Sequence, residues 1–184
     1  MSKEEAMIHV SSLRFAVLAS AVLLSGTPAI AQSTSLNPEY LMTVYIQKNP
    51  PLLADTNLII SRDQTGGWIK GKVSGRILEP SVDWVTVVPG DGLRLRLDAR
   101  VTIETDEHEI IYVTYNGRMH CDKENAARFR KGEVIKADDC YLISAPIFQT
   151  KSEKYSWLND VQAVGKMVEY KNGDHLVYDL FVVR

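Results

Sequence analysis

Leu93-Arg94-Leu95-Arg96-Leu97-Asp98-Ala99-Arg100-Val101-Thr102-Ile103-Glu104 is the stretch from which the fold can be read. Apolar and polar residues alternate through it, the period of a strand whose successive side chains point to opposite faces. A helix would scatter the same leucines around its circumference. Leu93, Leu95, Leu97, Ala99, Val101 and Ile103 therefore form one face, and Arg94, Arg96, Asp98, Arg100, Thr102 and Glu104 the other. Immediately before it, Pro89-Gly90-Asp91-Gly92 separates it from another β-type run at residues 84–88. Gly and Asp tolerate the positive φ that tight turns demand, so the two runs read as a hairpin.

Outward from this hairpin the pattern repeats. Residues 40–47 read as a strand that stops at Asn49-Pro50-Pro51, where two prolines remove amide donors. Residues 58–61 and 68–78 are strand-like, the second punctuated by Gly71 and Gly75 as sites for a bend. Residues 109–115 are rich in Ile, Tyr, Val and Thr, and Asn116-Gly117 reads as a turn after them. Shorter segments flank Pro146, and residues 151–158 read as a helical turn or loop. A closing hairpin pairs residues 161–170 with 175–183 across Asn172-Gly173. Nine or ten strands joined mainly by short turns, without a βαβ rhythm, make the class all-β. The final run, Leu176-Val177-Tyr178-Asp179-Leu180-Phe181-Val182-Val183, is too apolar for an open edge. Both a sandwich and a closed barrel fit the strand count, but only closure removes that edge, so a closed antiparallel β-barrel of about eight to ten strands is expected.

The N-terminus predicts export. Arg14 precedes an apolar stretch over residues 15–24, and Ala29-Ile30-Ala31 supplies the small residues of a signal-peptidase site. The stretch is about half of the ~20 residues that span a bilayer, which argues against an anchor. The expected organisation is a signal peptide over residues 1–31, a linker over 32–39 and one barrel over 40–184. The protein is accordingly expected in the periplasm or outside the cell, with no membrane insertion once the signal is removed. Lys and Arg number 21 against 23 Asp and Glu, for a net charge of -2. That balance lacks the basic surplus needed to hold a phosphate backbone, so nucleic acid is excluded as a partner. Self-association into a homo-oligomer is compatible with the sequence.

In an oxidising compartment the two cysteines, Cys121 and Cys140, are expected to form a disulfide across a polar segment. A metal site using His120 with them lacks any paired ligand spacing, so no metal is expected. The signatures of a hydrolase elbow, a Walker loop, a zincin helix and a dinucleotide fold are missing, and no cofactor is expected. What remains is an inventory for a small-molecule pocket: aromatic walls with a few convergent polar groups. The residues that fit are Asp83, Trp84, Asp98, Arg100, Tyr141, Phe148, Tyr155, Trp157 and Asn159. For Asp98 and Arg100, spacing alone leaves two readings, a solvated outer row or a polar group inside the lumen.

Several motifs in order carry a resemblance: Asp83-Trp84, Asp91-Gly92, Asp98-Ala99-Arg100 with Thr105-Asp106, Pro146-x-Phe148-x-Thr150, and Tyr155-x-Trp157-Leu158-Asn159. Over residues 40–184 the chain resembles the microbial family known as domain of unknown function 3237, grouped by fold with allene oxide cyclase and dirigent-type barrels. The resemblance implies a barrel and raises the lumenal reading of Asp98 and Arg100. It implies no particular reaction. Two departures stand out: Glu107-His108 replaces a glycine after the paired acids, and the segment from Cys121 to Cys140 is longer. Two functions follow as expectations. One is a carrier or sensor of a small, partly apolar molecule. The other is a cofactor-free isomerase, cyclase or lyase, with Asp98 or Glu104 as base and Arg100, Tyr112 or Tyr155 polarising the substrate. A third reading gives every motif to barrel closure alone.

Overall fold

The computed structural model describes residues 35–62 and 66–184. The expected signal peptide and residues 63–65 lie outside the described residues. The elements in chain order are β1 (Pro38–Gln47), β2 (Leu52–Asp55), β3 (Leu58–Arg62), β4 (Trp68–Gly71), β5 (Gly75–Val87), β6 (Leu93–Thr105), β7 (Ile110–Cys121), α1 (Lys123–Arg130), β8 (Val134–Lys136), β9 (Tyr141–Gln149), β10 (Ala163–Lys171) and β11 (His175–Val183). Eight strands close a ring of antiparallel neighbours in the order β5, β4, β1, β11, β10, β9, β7, β6 and back to β5. The β2–β3 hairpin pairs with the later half of β5, and β8 adds to β10.

The alternation in β6 sorts its side chains as its period dictates. Leu93, Leu95, Leu97, Ala99, Val101 and Ile103 are buried in the lumen, where they meet the inward rows of β1 and β11. The apolar β11 lies between β1 and β10, so closure removes the exposed edge that its sequence could not tolerate. Gly75 marks a close approach: a Cβ there would sit 2.2 Å from the Glu104 carbonyl oxygen of β6. Only glycine lets β5 start so near its neighbour.

Four local readings change. Residues 68–78 divide into β4 and the start of β5, and β5 then continues through Glu79-Pro80 to Val87, with a register shift between Leu78 and Val82. Pro80 has no amide to contribute. The Ser81 hydroxyl compensates, accepting from the Thr102 amide at 3.0 Å while donating to the Leu78 carbonyl at 2.7 Å. Asn116-Gly117 is not a turn; β7 passes straight through it, paired with β6 and β9 on either side. Likewise the segments around Pro146 are one strand, β9, with Pro146 opposite Tyr115. Long-range pairing outweighs local turn preference at both places.

The polar segment between the cysteines contains α1. Its N-cap Asp122 accepts from the Asn125 amide at 2.8 Å, and Glu124 and Arg128 suit the ends of the helix dipole. Only Ala126 and Phe129 are buried. So short a helix is held by capping and by docking of two side chains rather than by a broad apolar face. The expected Cys121–Cys140 disulfide is present, joining the end of β7 to the start of β9, with α1 and β8 in the loop between.

Candidate functional site

The lumen is filled unevenly along its length. At the end near α1, a cavity of about 70 Å³ remains between the barrel wall, the β2–β3 hairpin and the turn joining β10 to β11. Leu95, Leu97, Leu142 and Leu176 supply apolar walls, and Phe129 reaches in from α1. Phe129 packs edge-to-face against Tyr170 of β10, with ring centroids 4.9 Å apart. The polar lining is Lys48, Asn49, Ser61, Asp83, Tyr170 and Asn172.

Two of these are ionisable groups in an unusual place. Asp83 is 3 % exposed and Lys48 is 4 % exposed. Both have partners within the protein. Asp83 sits inward on β5, opposite Ala99 of β6 and Ser61 of β3. Its Oδ1 accepts from the Asp98 amide at 3.0 Å, which fixes the carboxylate against the wall. Lys48 directly follows β1 and continues the inward row of Met42, Val44 and Ile46. Charged side chains are almost never this deeply buried unless partnered, because leaving water costs several kcal/mol per ion. A carboxylate and an ammonium in one apolar box can orient a polar head group and exchange protons with it.

A second cavity, about 30 Å³, lies further from α1 between Val101, Val113, Tyr115, Tyr178 and Leu180. The Tyr115 and Tyr178 rings meet edge-to-face there at 6.3 Å. The lumen is thus polar and ionic beneath α1 and apolar below.

A family profile described as protein of unknown function (DUF3237) matches residues 34–183. The chain belongs to the DUF3237 family. Among its relatives, a UPF0311 protein of Clostridium acetobutylicum is 31% identical over 134 residues, covering 70% of this chain and 84% of that one. A hydroalkoxylation enzyme of Penicillium herquei is 30% identical over 156 residues, covering 83% of this chain and 89% of that one. In fold, the crystal structure of a conserved protein of unknown function from Rhodopseudomonas palustris superposes with a TM-score of 0.75, at 24% identity, over 83% of this chain and 99% of that one.

The other residues singled out in this DUF3237 chain do not converge on the cavity; Asp83 alone among them lines it. Asp98 and Arg100 lie on the outer face, which corrects the lumenal reading. Leu97, Ala99 and Val101 claim the interior, and period two then sends their neighbours outward. Arg100 Nη1 donates to Asp98 Oδ1 at 2.5 Å, and its guanidinium lies 5.2 Å from the Trp84 ring centre. The bond to Asp98 raises the Arg100 pKa further above its ordinary value. Trp84, Tyr112 and Tyr141 are exposed on the same outer surface. Glu104 also faces outward, where hydrogen bonds from Arg76 and then His108 lower its pKa, so it stays ionised as an ion-pair member.

Phe148 is buried core, and Trp157 packs half-buried against it. Asn159 braces a turn, its Oδ1 accepting from the Thr150 amide at 2.9 Å and its Nδ2 donating to the Thr150 carbonyl at 3.0 Å. Tyr155 is buried and donates to Glu107 Oε2 at 2.6 Å, while Lys154 Nζ contacts Glu107 Oε1 at 2.6 Å. Those two bonds, Lys154 first, hold the Glu107 carboxyl down at about 2. The departure noted at Glu107-His108 is therefore a latch between the β6–β7 turn and the segment after β9. Lys48, Ser61 and Tyr170 were missed from the sequence. A signal for Lys48 existed: it falls in phase with Met42, Val44 and Ile46, where an apolar residue was due.

Proposed function

We propose that the protein is an exported small-molecule-binding barrel whose ligand occupies the lumen beneath α1. The observation that carries the reading is the burial of Asp83 and Lys48 in one otherwise largely apolar cavity. A barrel serving closure alone has no need of two buried ions where apolar side chains would pack at lower cost. The ligand class that fits is a small, partly apolar molecule: its oxygen-bearing head meets Lys48 and Asp83, and its hydrocarbon part extends toward the Tyr115 and Tyr178 chamber. Export is supported by the A-x-A site before Gln32 and by the disulfide.

A catalytic reading of the same site is favoured by the Penicillium relative, which is named for hydroalkoxylation. That reaction adds an alcohol O–H across a carbon–carbon double bond. The oxygen–carbon bond forms as the π bond breaks, the hydroxyl proton leaves to a base, and a proton is delivered to the other carbon. No oxidant or reductant is consumed. In this reading Asp83 takes the hydroxyl proton and Lys48 gives one to carbon, and proton return from Asp83 to Lys48 resets the pair. This is the cyclase branch of the two functions, moved from Asp98 and Glu104 to lumenal groups.

Native mass spectrometry of protein purified from its export compartment tests binding, and its intact mass tests cleavage before Gln32. A retained small molecule is expected in the wild type and absent from Asp83→Asn. For catalysis, unsaturated alcohols able to close a ring are incubated in deuterium oxide. Isomerisation with deuterium on carbon supports the cyclase. Retention of the alcohol unchanged supports a carrier. Folded protein that retains nothing and turns over nothing would refute both.

A further inference from the structure

The outer face of β6 and its neighbours carries two features that an isolated barrel does not use. The first is apolar: Trp84, Ile110, Tyr112, Tyr141 and Ile147 are exposed large hydrophobic residues on β5, β7 and β9. Such a concentration on one face marks an interaction surface more than scattered exposure does. Its composition, Trp and Tyr beside Arg96, Arg100 and Arg118, is that of a protein interface core. The second is a charge gradient along the strands. Arg96 of β6 stands directly opposite Arg118 of β7 on this face. Among the described residues neither forms an ion pair, so two like charges adjoin without compensation. Eight residues further along β6 the sign reverses at Glu104, which Arg76 and His108 already pair, and the acidic end is continued by Asp106 and Glu109, which form no ion pair among the described residues.

We propose that this face is a two-fold interface between two copies of the chain, packed with their β6 strands antiparallel about an axis crossing β6 near Arg100. A face-to-face pair has two ways to place its axis. An axis along the strands sets Arg96 against the partner's Arg96 and repels. An axis across them sets the basic end of each copy over the acidic end of the other, bringing Arg96 toward the partner's Glu104 end, while the two Arg100 side chains that meet at the axis are each neutralised by their own Asp98. Self-complementarity under one two-fold operation is the requirement of an isologous dimer, and the gradient supplies it. Trp84, Tyr112 and Ile147 then lie near the centre, where aromatic anchors contribute most. The exposed Asp98–Arg100 pair is covered as well, which gives that row a use that the lumen does not.

The test is sedimentation velocity of the purified protein across a concentration series, at low and high salt. A dimer is expected at micromolar concentration, and its dissociation constant should rise by about tenfold or more with salt because the end-to-end charges are rim contacts. Arg96→Glu with Arg118→Glu should weaken it at least as much. Ile147→Lys, at an exposed position where a monomer tolerates charge, should do so independently. Circular dichroism and the melting temperature report folding of each variant. A wild type that stays monomeric throughout overturns the proposal. So does a dimer unmoved by both folded variants, since it must then use another face.

Discussion

Removing Asp83 from its cavity exposes the energetic logic of the lumen. Asp83→Ala deletes a carboxylate that is 3 % exposed and that accepts from the Asp98 amide. The amide loses its acceptor, worth about 1–3 kcal/mol when the donor stays buried. Lys48 also loses the carboxylate with which it shares the cavity, and where the two buried groups depend on each other the total rises to about 3–5 kcal/mol. For a domain of this size that lowers the melting temperature by roughly 2–4 °C per kcal/mol, or about 6–20 °C. Lys48→Met should be costly for the mirror-image reason. The double replacement Lys48→Met with Asp83→Leu is the informative variant. Once both ions are gone, their desolvation cost is gone too, and an apolar filling of similar volume is expected to recover most of the loss. Urea unfolding of the oxidised protein, followed by tryptophan fluorescence, measures all three. Additive losses would mean that the two ions do not share one electrostatic environment. A single Asp83→Ala within about 0.5 kcal/mol of wild type would refute the buried-carboxylate account altogether.

The remaining expectations are simpler. Replacing both Cys121 and Cys140 with Ser should lower stability by about 3 kcal/mol for a loop of this length, and thiol titration of the denatured, unreduced wild type should find no free sulfhydryl. Glu107, held at about 2 against an ordinary 4.5, contributes stability that is fully present above the ordinary value. It is lost as pH falls from about 4.5 through about 2, so Glu107→Gln should lower stability at neutral pH, flatten the acid limb of the stability–pH curve and converge on the wild type near the acid end. In dilute protein, Asp98→Ala and Arg100→Ala should each change unfolding free energy by about 0–1 kcal/mol, because the pair is half-exposed. Single losses of about 3 kcal/mol with strong coupling would contradict its outer placement.

Some of this protein is legible in the amino-acid order because the cause is local or arithmetical. The alternation of Leu93 to Glu104 needs only the two-residue period of a strand, and it correctly partitions core from surface. The apolar Leu176 to Val183 run demands partners on both edges, which β1 and β10 provide. Two cysteines in one chain leave a single intramolecular pairing. Other features are decided only when distant strands meet. Asn116-Gly117 has the composition of a turn, yet β6 and β9 hold it extended, where a Cβ on Gly117 would crowd the Leu97 side chain and the Ile143 carbonyl. Pro146 reads as a break until β7 pairs alongside it. In Val82-Asp83-Trp84 the sequence offers no reason for the carboxylate rather than the indole to turn inward. The register Asp83 to Ala99 makes that choice, since it puts Asp83 on the face that Ala99 occupies. Lys48 and Asp83 are separated along the chain and share a cavity only because the barrel closes, so the candidate site is a property of closure, whereas the strands that build it are properties of the sequence.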